Sequence, residues 1–150
     1  MLKHNLQIPP RWLTVLLVTA LTTGCGGASK TSAVSGRVTY KGKPVPNANV
    51  SFTPVEGDSR AAEGLTDSDG RFTLRTFETN DGALPGKYRI SVIARGPNRP
   101  PRPGETGSGM PGEMMPGDPT IPLKYFAPDT SGLTREVTRG SNRVDLELKD

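Results

Sequence analysis

The sequence predicts an all-β fold, an antiparallel β-sandwich of about seven strands, preceded by a short targeting segment. Three observations predict it. Apolar and polar residues alternate with period 2 in most segments after Val34. Glycine and proline, 18 and 15 of the 150 residues, separate these segments and are about twice as frequent as in average proteins. No segment beyond residue 30 has convincing helical spacing of its apolar residues.

The first 24 residues are typical of a signal peptide. Lys3, His4 and Arg11 form a basic start without acidic residues, and an apolar run of ten residues follows, WLTVLLVTAL. This run is shorter than the stretch of about 20 apolar residues that a spanning helix needs. Residues 1–24 are therefore predicted to be a leader peptide.

Cys25 follows small residues in the stretch LTTGCGG, residues 21–27. The stretch resembles a bacterial lipobox, in which the cysteine is diacylated and becomes the mature N-terminus. It departs from that pattern because Thr22 stands at the usual leucine position. The resemblance implies lipidation of Cys25, a flexible tether over residues 25–33, and an extracytoplasmic location at the cell membrane or outer membrane. An incidental free cysteine is the alternative.

Residues 34–150 are predicted to form the sandwich from short strands. In each strand every second residue is apolar and is predicted to face the core. Residues 62–66 and 133–138 are predicted to be two further short strands. This number of strands, with turns between them, is typical of two packed sheets. The predicted inward residues are Val38, Tyr40, Ala48, Val50, Phe52, Phe72, Leu74, Tyr88, Ile90, Val92, Ala94, Val144, Leu146 and Leu148.

Five segments carry a family resemblance. They are SGRVTYKGKPVPNANVSF at 35–52, TDSDGRF at 66–72, LPGKY at 84–88, IPLKYF at 121–126 and TSGLT at 130–134. The first three resemble carboxypeptidase-regulatory-like, or transthyretin-like, domains, and the last two resemble small lipoproteins of planctomycete-type bacteria. The resemblance implies an immunoglobulin-like or prealbumin-like sandwich and implies no particular chemistry.

The same motifs have a mechanical interpretation. Gly42 and Gly70 are predicted to lie in hairpin turns, since glycine readily adopts a positive φ. Asp67 is predicted to accept hydrogen bonds from the backbone of its turn. Tyr88 is predicted to be a corner residue whose hydroxyl binds an adjoining loop, as in related sandwiches.

The composition argues against catalysis. His4 and Cys25 are the only histidine and the only cysteine, and the leader contains His4. The mature chain therefore lacks a Ser–His pair and the usual zinc ligands, and the histidine motifs of transthyretin-like hydrolases do not carry over. An intrachain disulfide is impossible. No enzyme activity and no cofactor are predicted.

The net charge of +4 does not predict nucleic-acid binding. Lys3 and Arg11 in the leader contribute two of these charges. The remaining basic residues are spread among 15 acidic ones, so no basic face is expected.

Asp67 and Asp69 have the spacing that opens a calcium-binding loop. The glutamate required at its twelfth position would be Glu78, but a predicted strand lies between them. A turn is the main interpretation, and a calcium site is the alternative.

Residues 95–120 form a long segment rich in proline and glycine, predicted to be a loop between strands. Met110, Met114 and Met115 lie within it, and thioethers can ligate Cu(I). A solvated loop without a metal is the main interpretation.

Arg95, Arg99 and Arg102 alternate with prolines in this segment. Proline restricts φ, so the stretch is predicted to be extended and polyproline-like. It could present guanidinium groups to anionic envelope polymers or to an aromatic groove of a partner. An insertion loop without a binding role is the alternative.

These observations favour a membrane-anchored envelope lipoprotein with a non-catalytic β-sandwich for binding or structure. Its partner would be an envelope protein or polysaccharide, contacted through the loops at 53–62 and 95–120. The alternative is a metal- or solute-binding accessory protein that uses the methionine-rich or aspartate-rich loop.

Overall fold

The computed structural model describes residues 30–56 and 60–150, so the predicted leader and Cys25 lie outside the described residues. The described chain forms eight strands and one 3₁₀ helix, Leu123–Phe126. This confirms the all-β prediction. No helix among these residues is long and apolar enough to span a membrane. The strands are β1 (Val34–Tyr40), β2 (Lys43–Pro44), β3 (Asn49–Pro54), β4 (Ala62–Leu65), β5 (Arg71–Thr73), β6 (Gly86–Ile93), β7 (Leu133–Val137) and β8 (Asn142–Leu148).

The strands form two four-stranded sheets. In the first, β1 pairs with β8 along its whole length and with the short strands β5 and β2 at its two ends. The second has the order β4-β3-β6-β7 and is antiparallel throughout. β1 and β6 are the long inner strands of the two sheets, with seven and eight residues.

One pairing differs from the predicted antiparallel arrangement. β1 and β8 are parallel, in register from Val34↔Asn142 to Tyr40↔Leu148. A tight hairpin forces neighbouring strands to run antiparallel, whereas strands far apart in the sequence are free of that constraint. The direction of β8 therefore depends on how its apolar face packs, which strand periodicity does not reveal.

The two sheets share one hydrophobic core. The residues predicted to face inward are buried, except Tyr40, which is half-buried at the edge of the core. The Phe52 ring on β3 lies 6.4 Å from Phe72 on β5 and 5.9 Å from Tyr88 on β6, measured between centroids. The Phe52–Phe72 contact joins the sheets, and such tilted aromatic pairs add stability beyond their buried area.

The predicted turns and corner are confirmed. Gly42 and Gly70 have φ of 75° and 74°. Oδ1 of Asp67 accepts hydrogen bonds from the backbone N–H groups two and four residues later, at 2.9 and 2.8 Å. The hydroxyl of Tyr88 donates to the Leu84 carbonyl at 2.8 Å. These bonds explain why the TDSDG and LPGKY motifs have their sequences.

The N-terminal segment joins the fold at Ser32, slightly before the predicted end of the tether. Ser32 is buried, and its backbone N–H and C=O pair with Ala83 at 2.7 and 3.0 Å. Ala83 lies just before β6. The start of β1 and the start of β6 therefore lie at one end of the domain, which we call the tether pole.

The two predicted contact loops begin at opposite ends of the domain. The loop predicted at 53–62 leaves β3 at Pro54, which pairs with Tyr88 near the start of β6 at the tether pole, and residues 57–59 of this loop lie outside the described residues. The segment 95–120 follows β6 and lies at the other end. It is a ribbon held by backbone bridges between Arg95 and Pro119 and between Arg99 and Met115.

Candidate functional site

A cleft of about 670 Å³ lies where the β1–β2 turn meets the base of the 95–120 ribbon. We call it the loop-base cleft. Its volume lies in the usual range for ligand sites. Its lining residues are Tyr40, Lys41, Lys43, Pro44, Val45, Pro46, Asn47, Arg95, Gly96, Pro97 and Thr120.

A tight hairpin turn places the lysines at the rim. Tyr40 pairs with Lys43 across the β1–β2 hairpin. The two residues between them, Lys41 and Gly42, have φ of 52° and 75°. Positive φ at both central positions is the signature of a type I′ turn, which matches the twist of the two strands. The sequence KGK therefore sets two ammonium groups on either side of a glycine.

A buried hydroxyl holds the adjoining wall. Thr66 is 2% exposed, and its Oγ1 donates to the Val45 carbonyl at 2.7 Å and accepts from the Ala48 N–H at 2.7 Å. The backbone N–H of Asn47 donates to the Thr66 carbonyl at 3.1 Å. Because buried polar groups are costly without partners, these bonds fix the segment that carries Val45 and Pro46 into the cleft.

The ribbon forms the opposite wall. The N–H of Thr120 donates to the Ala94 carbonyl at 3.0 Å, and that of Gly96 donates to the Asp118 carbonyl at 2.8 Å. The Arg95 guanidinium lies 5.1 Å from the centroid of the Phe126 ring, a cation–π distance. Arg95 is therefore held at the rim by an aromatic ring of the 3₁₀ helix.

The charges at the rim are mostly positive. Lys41 Nζ lies 2.8 Å from Oδ2 of Asp150, and the Tyr40 hydroxyl donates to Oδ1 of the same carboxylate at 2.5 Å. The hydrogen bond to Asp150 raises the pKa of Lys41, and the bond from Lys41 lowers the pKa of Asp150. Within residues 30–56 and 60–150, neither Lys43 nor Arg95 forms an ion pair.

The structure separates the three predicted arginines. Only Arg95 lines the loop-base cleft. Arg99 binds Glu105 through two hydrogen bonds of 2.7 Å, and Arg102 binds Asp118 at 2.5 Å. The bonds from Arg99 hold the pKa of Glu105 at about 2. Arg99 and Arg102 therefore bind carboxylates of their own segment and stabilise the ribbon.

The three predicted methionine ligands lie in the second half of the ribbon. Met110 and Met114 are 71% and 52% exposed, and the backbone of Met115 pairs with Arg99 in the ribbon. The Cu(I) hypothesis therefore stays a prediction. Among the described residues, no three His, Cys, Asp or Glu side chains could together hold a metal ion.

A second cleft, of about 700 Å³, lies between β4 and β5. We call it the mixed-charge cleft, because carboxylates (Glu63 and Asp67) and guanidinium groups (Arg71 and Arg75) line it together. Asp67, a predicted calcium ligand, therefore lines this cleft while its Oδ1 is bound to two backbone N–H groups. The neighbouring Asp69 uses its N–H in that turn.

Sequence reasoning missed several residues of the loop-base cleft. Lys41 and Lys43 were interpreted only as parts of a turn, although a KGK sequence at a hairpin is a visible signal. Thr66 is the first residue of the TDSDGRF motif, but that motif predicted only a turn and not the two buried bonds of the Thr66 hydroxyl. Asp150 reaches the rim only because β8 is parallel to β1, so no local pattern could have found it.

No protein-family model matches this sequence, and no curated protein is significantly similar to it. The resemblance to carboxypeptidase-regulatory-like domains is therefore not confirmed. Three solved structures match part of this structure. A DUF3823 family protein from Parabacteroides merdae is 18% identical, with a TM-score of 0.38 over 78% of this chain and 45% of that one. A candidate adhesin from Bacteroides ovatus is 18% identical, with a TM-score of 0.39 over 79% and 44%.

The third is a 9R-lipoxygenase from Cyanothece, 13% identical, with a TM-score of 0.41 over 81% of this chain and 16% of that one. This chain spans less than half the length of each of these proteins. Similarity at this level does not extend to function.

Proposed function

We propose that this protein is a cell-envelope lipoprotein whose β-sandwich is a non-catalytic binding module, with the loop-base cleft as its binding site. One observation carries the proposal: Val45 and three prolines line the same cleft as two cations, Lys43 and Arg95, that have no carboxylate partner in the described chain. Sites for ligands commonly combine such an apolar surface with a few placed polar groups.

The path of the chain supports this assignment. β1 begins beside Ser32 at the tether pole and ends at Tyr40 in the loop-base cleft. A strand rises about 3.3 Å per residue, so the cleft lies about 20 Å from the point where the tether enters. A lipid on Cys25 would hold the tether pole near the membrane, with the cleft directed away from it and accessible to other envelope molecules.

The anchor has a direct test. We expect the full-length protein to partition into detergent and to carry acyl mass on Cys25, and Cys25→Ser to lose both. The matched control is Ser29→Ala, which changes a neighbouring small residue and should keep both. A Cys25→Ser protein that still carries acyl mass would contradict the lipoprotein assignment.

The binding site is tested by site-specific crosslinking in cells. A photo-crosslinking amino acid at Thr120, a neutral exposed residue of the lining, is expected to capture an envelope partner while it leaves the cations of the cleft in place. The same amino acid at Thr79, an exposed residue near the tether pole, is the control. Equal crosslinking at both positions, or none at Thr120, would contradict the loop-base cleft as the binding site.

A further inference from the structure

Two residues that line the loop-base cleft, Tyr40 and Lys41, already bind one carboxylate of the protein itself, that of Asp150, which lies outside the lining. Asp150 receives hydrogen bonds from Lys41 Nζ at 2.8 Å and from the Tyr40 hydroxyl at 2.5 Å, one on each carboxylate oxygen. Two donors that bind the two oxygens of one carboxylate form an oriented, charge-assisted arrangement. Both charged side chains are mostly exposed, at 59% for Lys41 and 69% for Asp150, so a ligand can reach this place from solvent.

Two cations that have no carboxylate partner among the described residues extend the positively charged lining along the cleft. Lys43 and Arg95 line it with Lys41, and no acidic residue is among its lining residues. The mixed-charge cleft, in contrast, contains both signs. A ligand with several negative groups would therefore be attracted to the loop-base cleft, and complementary charge both speeds and selects association.

The uncharged lining of the cleft distinguishes between kinds of anion. It consists of the buried Val45, the exposed Pro44, Pro46 and Pro97, and Tyr40, with Asn47 and Thr120 as neutral polar side chains. Apolar side chains of a ligand would be buried there, which is favourable in proportion to their area. A sugar polymer would instead need many hydrogen-bonding partners on this surface. The surface therefore favours a peptide over a polysaccharide.

We infer that the loop-base cleft binds an acidic peptide segment of a partner protein, with alternating carboxylate and apolar side chains, and that Asp150 occupies the place of one ligand carboxylate. This inference rests on the proposed function of the cleft. In an extended strand, alternate side chains point to opposite faces. A short irregular segment bound in the cleft can instead direct its carboxylates to the cations and its apolar side chains to the apolar lining. Asp150 then acts as an intramolecular competitor at Lys41.

The test is a titration of the folded domain with synthetic peptides at low and high salt. The probe is a blocked hexapeptide of alternating aspartate and leucine. We expect Lys43→Glu to weaken its binding about tenfold and Asp150→Asn to tighten it about threefold. Lys87→Glu is the matched control, because it makes the same charge change on β6 near the tether pole and should leave affinity unchanged. Salt should weaken the binding.

Two further probes separate the outcomes. The same hexapeptide with asparagine in place of aspartate should bind much more weakly, and oligogalacturonate, a carboxylated sugar polymer, should bind more weakly than the acidic peptide. Equal binding of the asparagine peptide, tighter binding of oligogalacturonate, or an unchanged affinity in Asp150→Asn would overturn this inference. In each of these cases crosslinking at Thr120 would still support the proposed binding site, whereas the absence of crosslinking there would remove both the inference and the proposed site.

Discussion

The two clefts of this domain have almost the same volume, about 700 Å³ between β4 and β5 and about 670 Å³ at the base of the ribbon. They differ in how charge is arranged. In the mixed-charge cleft, carboxylates and guanidinium groups face the same space and partly neutralise each other. In the loop-base cleft, Lys41, Lys43 and Arg95 lie among apolar residues and none of the lining residues is acidic, while Asp150 binds Lys41 from outside the lining. Charge of one sign beside an apolar surface, more than volume, therefore identifies a surface suited to a charged ligand.

Both clefts depend on the same hydrophobic core, so a substitution in that core is expected to lower the free energy of unfolding more than any other change considered. Phe52→Ala should lower the free energy of unfolding by about 3–5 kcal/mol, because it removes a fully buried ring that contacts Phe72 and Tyr88. Urea unfolding measures the loss. Phe77→Ala makes the same chemical change at a residue that is 53% exposed and should change stability by no more than about 0.5 kcal/mol. Unfolding of the variant in two separate transitions would contradict a shared core.

Thr66 should affect the two clefts differently. Thr66→Val keeps the shape of the side chain but leaves the Ala48 N–H and the Val45 carbonyl without their buried partner. We expect a loss of about 2–3 kcal/mol and faster hydrogen exchange of the Ala48 amide. The control is Thr73→Val, an exposed residue of the mixed-charge cleft. Protection of the Ala48 amide that is unchanged in Thr66→Val would show that this hydroxyl does not hold the wall.

Acid should destabilise the 95–120 ribbon, which lines the loop-base cleft and not the mixed-charge cleft. Bonds from Arg99 hold the pKa of Glu105 at about 2, below its ordinary value of 4.5. A lowered pKa in the folded protein means that this stabilisation is fully present above pH 4.5 and is lost as pH falls through about 2. Carboxyl NMR shifts of Glu105 measure its titration, and Glu105→Gln should remove the acid effect on the Arg99 guanidinium signal. Titration of Glu105 near its ordinary value would contradict this ion pair.

The smallest effect is expected at the mixed-charge cleft. Arg71→Ala removes a guanidinium group there but keeps the backbone N–H that binds Asp67. Stability should change by no more than about 0.5 kcal/mol, and affinity for the aspartate–leucine peptide should be unchanged. A loss of affinity as large as in Lys43→Glu would erase the distinction between the clefts.

Much of the fold was predictable because strand patterns are local. Side chains alternate between the two faces of a strand, so the apolar positions around Ile90 and Leu146 indicated which residues are buried. The turn residues are also determined locally. Asp67 accepts a hydrogen bond from a backbone N–H two residues later, and Gly70 adopts a positive φ. The site was only partly predictable. Arg95 was among the candidates, but Arg99 and Arg102 bind Glu105 and Asp118 of their own segment, and residue spacing does not reveal such pairs.

The all-β class, the inward faces of the strands and the tight turns follow from the amino-acid sequence, because steric preference and period-2 alternation act between near neighbours. The parallel direction of β8 beside β1, which brings Asp150 next to Tyr40 and Lys41, is visible only in the folded domain. The same holds for the contact of the KGK turn with the base of the ribbon. These contacts depend on how apolar faces pack across the whole domain, and no local sequence pattern contains that information.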